Sequence, residues 1–162
     1  MRVFQRYTVQ YWPNGQSTAS HTTAIVPSMA QASSWIAIVD DDPSVLKALT
    51  RLLRARAFHA KSYESAREFL AALPAGRPDC LILDLQMPET SGLELLQHLE
   101  RNDIDIPAII ITAHGDGGAR ERCAAAGAVA FLSKPLQDTA LFAAINAAIR
   151  PAAARDRGPS PE

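Results

Sequence analysis

The chain has 162 residues, 48% of them hydrophobic and 20% charged, with a net charge of −1. These are the proportions of a single globular domain. The balanced charge excludes a dedicated nucleic-acid binder, which would carry a basic excess, and no apolar run reaches the roughly 18 residues of a membrane span. Two cysteines, Cys80 and Cys123, and four scattered histidines, His21, His59, His98 and His114, show no metal-ligand spacing. Zinc is therefore not expected, and the cysteines fit a reduced, cytoplasmic protein.

Residues 1–34 contain no acid, and eight of the eighteen residues from Ser17 to Ser34 are Ser or Thr. This stretch reads as a disordered arm or linker. Met29 stands six residues before the first strand, so it is expected to be the true start, with the upstream arm an artefact of the gene model. The other reading is an arm whose "YTVQYW" alternates like a strand and docks on an edge or a partner.

From Trp35 the pattern becomes dense. The run Ile36–Val39 predicts a strand and ends in Asp40, Asp41 and Asp42. Pro43 suits the first turn of a helix, and Val45, Leu49, Leu52 and Leu53 give that helix an apolar stripe. A weaker strand spans Phe58–Tyr63, followed by a helix marked by Phe69, Leu70 and Leu73. Then come a strand at Cys80–Leu83, a helix with Leu93, Leu96 and Leu99, and a strand at Ile109–Ile111. The fourth helix, within His114–Ala128, has no large aliphatic or aromatic side chain before the strand Val129–Leu132. Leu141, Ile145 and Ile149 mark the last helix, and the Pro-rich tail from Pro151 reads as disordered.

Strands and helices alternate five times. That order calls for a doubly wound, five-stranded parallel sheet with helices on both faces. Four of the runs are continuously apolar, as strands buried on both sides should be. Residues 35–150 hold 12 Lys/Arg against 15 Asp/Glu, so this unit is mildly acidic.

In such sheets ligands bind beyond the carboxyl ends of the strands, where strand order reverses. The residues ending the runs are Asp40 and Asp41, Asp84, Thr112, and Ser133–Lys134–Pro135. A 2-1-3-4-5 order would bring Asp40 and Asp41 beside Asp84. Crowded carboxylates repel by about 4 kcal/mol per pair at 4 Å and an effective dielectric near 20. A hard divalent cation such as Mg2+, which takes carboxylate and phosphate oxygens, offsets that. Asp42 is expected to serve the N-terminus of the following helix instead. Given a phosphorylated donor, Asp84 is the natural nucleophile, with Lys134 and Thr112 available to the phosphoryl oxygens.

The motifs "IVDDDPSV", "LILDLQMPETSGLELL", "IIITAHGD" and "AFLSKPL" resemble those of the receiver domain of two-component response regulators. The likeness covers residues 35–150 and implies the flavodoxin-like receiver fold. It implies Asp84 as phosphoacceptor, Asp40, Asp41 and the Gln86 carbonyl as further Mg2+ ligands, Thr112 as switch hydroxyl, Lys134 as phosphate-binding lysine and Phe131 as the mobile aromatic. It also implies a histidine kinase or phosphotransfer protein as donor. The output surface would be the fourth helix, fifth strand and fifth helix, used towards a protein partner or a second copy. The closest likeness is to receivers that precede LuxR-type helix-turn-helix domains. The thirteen residues after Ile149 are too few for such a domain, so direct DNA binding is not expected of this sequence; a truncated transcriptional regulator is the alternative.

Taken singly, these residues have ordinary readings. An acidic cluster before a helix caps it, Asp84 could begin a turn, Phe131 could be simple core, and His98 reads as a surface residue. A second class of protein, the aspartate-nucleophile phosphatases, also combines a doubly wound sheet with Mg2+, Thr and Lys. It needs a second aspartate two residues after the nucleophile, and Gln86 stands there. No enzymatic turnover of an external substrate is therefore expected.

Overall fold

Alternating side chains along each strand divide the molecule into two apolar layers. The computed structural model describes residues 35–113 and 118–149. The expectations for the arm at 1–34, the tail at 151–162 and the segment 114–117 fall outside these residues. Five parallel strands, β1 (Trp35–Val39), β2 (His59–Tyr63), β3 (Cys80–Asp84), β4 (Ala108–Thr112) and β5 (Ala128–Ser133), lie in the order β2-β1-β3-β4-β5. The helices α1 (Pro43–Ala55), α2 (Ala66–Ala72), α3 (Gly92–Arg101), α4 (Ala119–Ala125) and α5 (Asp138–Ile149) connect and follow them.

Period-two alternation sends Ile36, Ile38, Cys80, Ile82, Ile109 and Ile111 to one face. There they meet Leu46, Leu49 and Leu53 of α1 and Leu141, Phe142 and Ile145 of α5. Ala37, Val39, Leu81, Leu83, Ala108 and Ile110 go to the other face, against Phe69 of α2, Leu95, Leu96 and Leu99 of α3, and Cys123 of α4. Each fully buried leucine contributes roughly 1.5–3 kcal/mol, so the leucine-rich α1 and α3 are firmly held.

Caps fix where the first three helices begin. Asp42 Oδ1 accepts from the Ser44 N–H at 2.8 Å, Ser65 Oγ from the Glu68 N–H at 3.2 Å, and Ser91 with Glu94 forms a reciprocal capping box. Asp42 thus serves the helix, as expected. By contrast α4, with Gly118 at its N-cap position, has no side-chain cap.

Two expectations need correction. The β5 run is not buried on both sides: it is an edge strand, five of its six residues are half-buried or exposed apolar side chains, and Val129 is 47% exposed. The stripes assigned to α1 and α3 were also one residue out of phase in part. Leu46 and Leu95 are buried, whereas Val45, Leu52 and Leu93 are only partly covered, because leucines at adjacent positions leave the helical phase ambiguous.

Candidate functional site

Register builds the site. Val39 pairs with Leu83 across β1 and β3, so the next residue on each strand, Asp40 and Asp84, stands beside the other. Both continue the phase that points towards α1 and α5, and both are buried. Asp41 is exposed, yet one carboxylate oxygen from each of Asp40, Asp41 and Asp84 lies within 4.8 Å of the others.

The two buried carboxylates are held in the same way. Asp40 Oδ1 accepts from the Asp42 N–H at 2.8 Å, and Asp84 Oδ2 accepts from the Gln86 N–H at 3.1 Å. Each is an Asx turn, in which the side chain bonds the backbone two residues on. Their remaining oxygens share one cation: Lys134 Nζ is 3.1 Å from Asp40 Oδ2 and 3.1 Å from Asp84 Oδ1. Lys134 follows β5, and its N–H donates to the Thr112 carbonyl at 2.8 Å, which ties the cation to the end of β4. The Lys134–Pro135 peptide is cis.

Burial pushes the Asp84 carboxyl above the usual carboxylate range, with Asp40 and Asp41 adding to the rise and Lys134 opposing it. Burial also works against the charge of Lys134, but its bonds to Asp84 and Asp40 outweigh that and hold its pKa above the ordinary lysine value. The ammonium is therefore fully charged at neutral pH, and it is a counter-ion for two acids at once. Three oxygen donors of one sign around a single cationic group suit a hard divalent ion.

The expected residues divide by position. Asp40, Asp41, Asp84 and Lys134 come together; Thr112 is buried at the end of β4, and Gln86 is exposed two residues after Asp84. Phe131 sits lower on β5, paired with Ile110 and packed on the α2–α3–α4 face. His98 is exposed on α3. Cys80 is buried within β3, and burial pushes its thiol up to about 12, so it is no nucleophile at neutral pH. Two features escaped the sequence: the paired Asx turns and the double grip of Lys134. The "D-x-x" spacing shared by Asp40–Asp42 and Asp84–Gln86 was the available signal for the first.

A family profile described as the response regulator receiver domain matches residues 36–146. The chain belongs to the response regulator receiver family. The transcriptional regulatory protein FixJ of Rhizobium meliloti is 44% identical over 111 residues, which cover 68% of this chain and 54% of that protein. The response regulator protein TodT of Pseudomonas putida is 39% identical over 122 residues, 75% of this chain and 54% of that protein. This receiver chain thus spans about half the length of the curated relatives it matches. Among solved structures, FixJ-N superposes with a TM-score of 0.67 at 43% identity, over 71% of this chain and 92% of that one. A receiver protein from Burkholderia phymatum gives 0.63 at 44% identity, over 71% and 94%. Receiver domains bind Mg2+ at an acidic pocket, and the Asp40–Asp41–Asp84 cluster is a donor set of that kind. No described helix is long and apolar enough to cross a membrane.

Proposed function

We propose that residues 35–150 form a phosphoacceptor receiver that takes a phosphoryl group from a histidine kinase or phosphotransfer protein onto Asp84. The observation that carries this reading is the Lys134 ammonium held equally by Asp40 and Asp84 beside Asp41. An Asp84 oxygen forms the new bond to phosphorus, and the donor's leaving group departs with the electron pair of the bond it breaks. Lys134 remains to offset charge on the phosphoryl oxygens, and the Thr112 hydroxyl donates to one of them. Asp40, Asp41, Asp84 and the Gln86 carbonyl would hold Mg2+, which neutralises charge shared by the carboxylates and the incoming group.

Signal leaves through the α4–β5–α5 face, towards a protein partner or a second copy of the chain. The half-uncovered β5, with Val129 exposed and Phe131 half-buried, supports this assignment. FixJ and TodT are regulators about twice as long as the matched segment, so an output function in transcription is the second reading. The phosphatase reading is disfavoured by Gln86 at the position where an acid/base aspartate is needed.

Acetyl phosphate with Mg2+ should add one phosphoryl group per chain, seen by intact-protein mass spectrometry. Asp84→Asn, or wild type in excess chelator, should take none. Equal labelling in either case would overturn the assignment.

A further inference from the structure

The start of α3 lies against the peptide that carries the phosphoacceptor. A methyl group on Gly92 would sit 2.4 Å from the Asp84 carbonyl oxygen, 3.0 Å from Leu85 Cα and 3.2 Å from the Asp84 carbonyl carbon. All three are backbone atoms, so no side chain can swing aside to make room. Gly92 is buried, and its N–H donates to the Leu85 carbonyl at 3.0 Å. The loop from Leu85 to Ser91 is therefore closed at its base directly on Asp84. Neither wall of this contact is loose. Asp84 pairs with Ile111, and the Leu85 N–H donates to the Ile111 carbonyl at 3.0 Å. On the other side α3 is anchored by buried Leu95, Leu96 and Leu99 and by its capping box.

We propose that Gly92 is a positioning residue for phosphoryl transfer to Asp84. Its bare Cα is the stop on which the Asp84–Leu85 peptide is seated, and that seat aims the Asp84 carboxylate at Lys134, beside Asp41. This inference rests on Asp84 being the phosphoacceptor and adds a residue that never touches the reacting atoms. Restoring ordinary contact from 2.4 Å to 3.4 Å requires a displacement of about 1 Å. A misplacement of about 1 Å at a reacting group costs on the order of 10²-fold in rate. With α3 absorbing part of the shift, Gly92→Ala is expected to slow labelling at least ~10-fold.

The full chain serves for the test, with folding checked by circular dichroism. Wild type, Asp84→Asn, Gly92→Ala and Ser91→Ala are compared for the rate of labelling by acetyl phosphate and for Mg2+ affinity by calorimetric titration. Ser91→Ala opens the capping box and loosens α3 without pressing on Asp84. Gly92→Ala should label at least ~10-fold more slowly and bind Mg2+ more weakly, while Ser91→Ala stays within about twofold of wild type. Labelling of Gly92→Ala at the wild-type rate, or equal slowing by both variants, overturns the inference. If Gly92→Ala folds poorly, one glycine inserted after Thr90 withdraws the stop without a clash. That variant should also label slowly, and a wild-type rate for it overturns the inference equally. Absence of label on Asp84 in wild type is a different failure: it removes the phosphoacceptor reading itself.

Discussion

Replacing Lys134 with methionine keeps the length of the side chain and removes its charge. Nζ lies 3.1 Å from carboxylate oxygens of Asp40 and Asp84, whose side chains are only 1% and 6% exposed. At an effective dielectric near 20, each contact carries about 5 kcal/mol of Coulomb attraction. Desolvation of the three groups offsets most of this. Truncating one partner of a buried ionic set still costs roughly 3–5 kcal/mol, because the others are left uncompensated. The Lys134 side chain is 27% exposed, so solvent screening places the loss at the low end, about 3 kcal/mol. For a domain of this size that is a fall of roughly 10 °C in Tm.

Two treatments should reverse the loss. Without the ammonium, the Asp84 carboxyl rises further than burial already lifts it. A carboxyl whose folded pKa exceeds its unfolded value binds its proton more tightly when folded, so stability falls as pH rises between the two. The deficit of Lys134→Met relative to wild type is therefore complete above the folded pKa of Asp84 in the variant. It should narrow as pH falls from there through the lower folded pKa of Asp84 in wild type, since the unfolded state is common to both. Mg2+ supplies the missing charge without having to share the acids with an ammonium, so it should raise the Tm of the variant more than that of wild type. Scanning calorimetry of both proteins, in chelator and in saturating Mg2+, across this pH range decides the matter. A deficit unchanged by metal and flat with pH would refute the view that Lys134 is the counter-ion of this site.

Asp84→Asn should be more stable than wild type at neutral pH in chelator, because the ionised carboxyl is disfavoured by burial and by two acidic neighbours; urea denaturation should show the advantage fading as pH falls through the folded pKa. Hydrogen exchange should find the amides of α4 at least ~10-fold less protected than those of α1, since α4 buries only Ala119 and Cys123 where α1 buries three leucines, each contributing roughly 1.5–3 kcal/mol. Equal protection would contradict the packing account. Val129→Asp should change stability by no more than about 0.5 kcal/mol, as expected for an exposed site, yet weaken self-association or partner capture by the phosphorylated protein; unaltered capture would move the output surface elsewhere.

The strands were legible because each apolar run ends abruptly in a polar residue. Ile82 and Leu83 before Asp84, or Ile110 and Ile111 before Thr112, leave little choice of boundary. The carboxylate cluster was legible for the same reason, once the strand order placed β1 beside β3. The edge character of β5 was harder to see. "AVAFL" reads like the buried runs, and only the slight, Ala-rich α4 beside it reveals that one of its faces has no large helical side chain from its neighbour. Lys134 was read as a phosphate ligand alone. Its bond to Asp40 spans 94 positions of sequence and depends on a long side chain crossing from β5 to β1, a reach that strand order does not specify.

The same connection explains how a small change at Asp84 can be felt at a distance. Asp40 and Asp84 stand on β1 and β3, which are buried on both faces. Lys134 and Thr112 belong to the β4–β5 end, and the Lys134 N–H to Thr112 carbonyl bond makes them one unit. A phosphoryl group on Asp84 would replace one oxygen of the acid pair with several, giving the ammonium and the hydroxyl new partners. Only a difference in interaction energy between two arrangements can drive a switch, and here that difference would arise where three fully packed strands meet the half-buried β5. The carboxylates cannot yield, because their strands are core. The elements least held by burial are β5, uncovered along its outer edge, and α4, which lacks both a side-chain cap and a large buried side chain, and these are the ones the proposed switch would move.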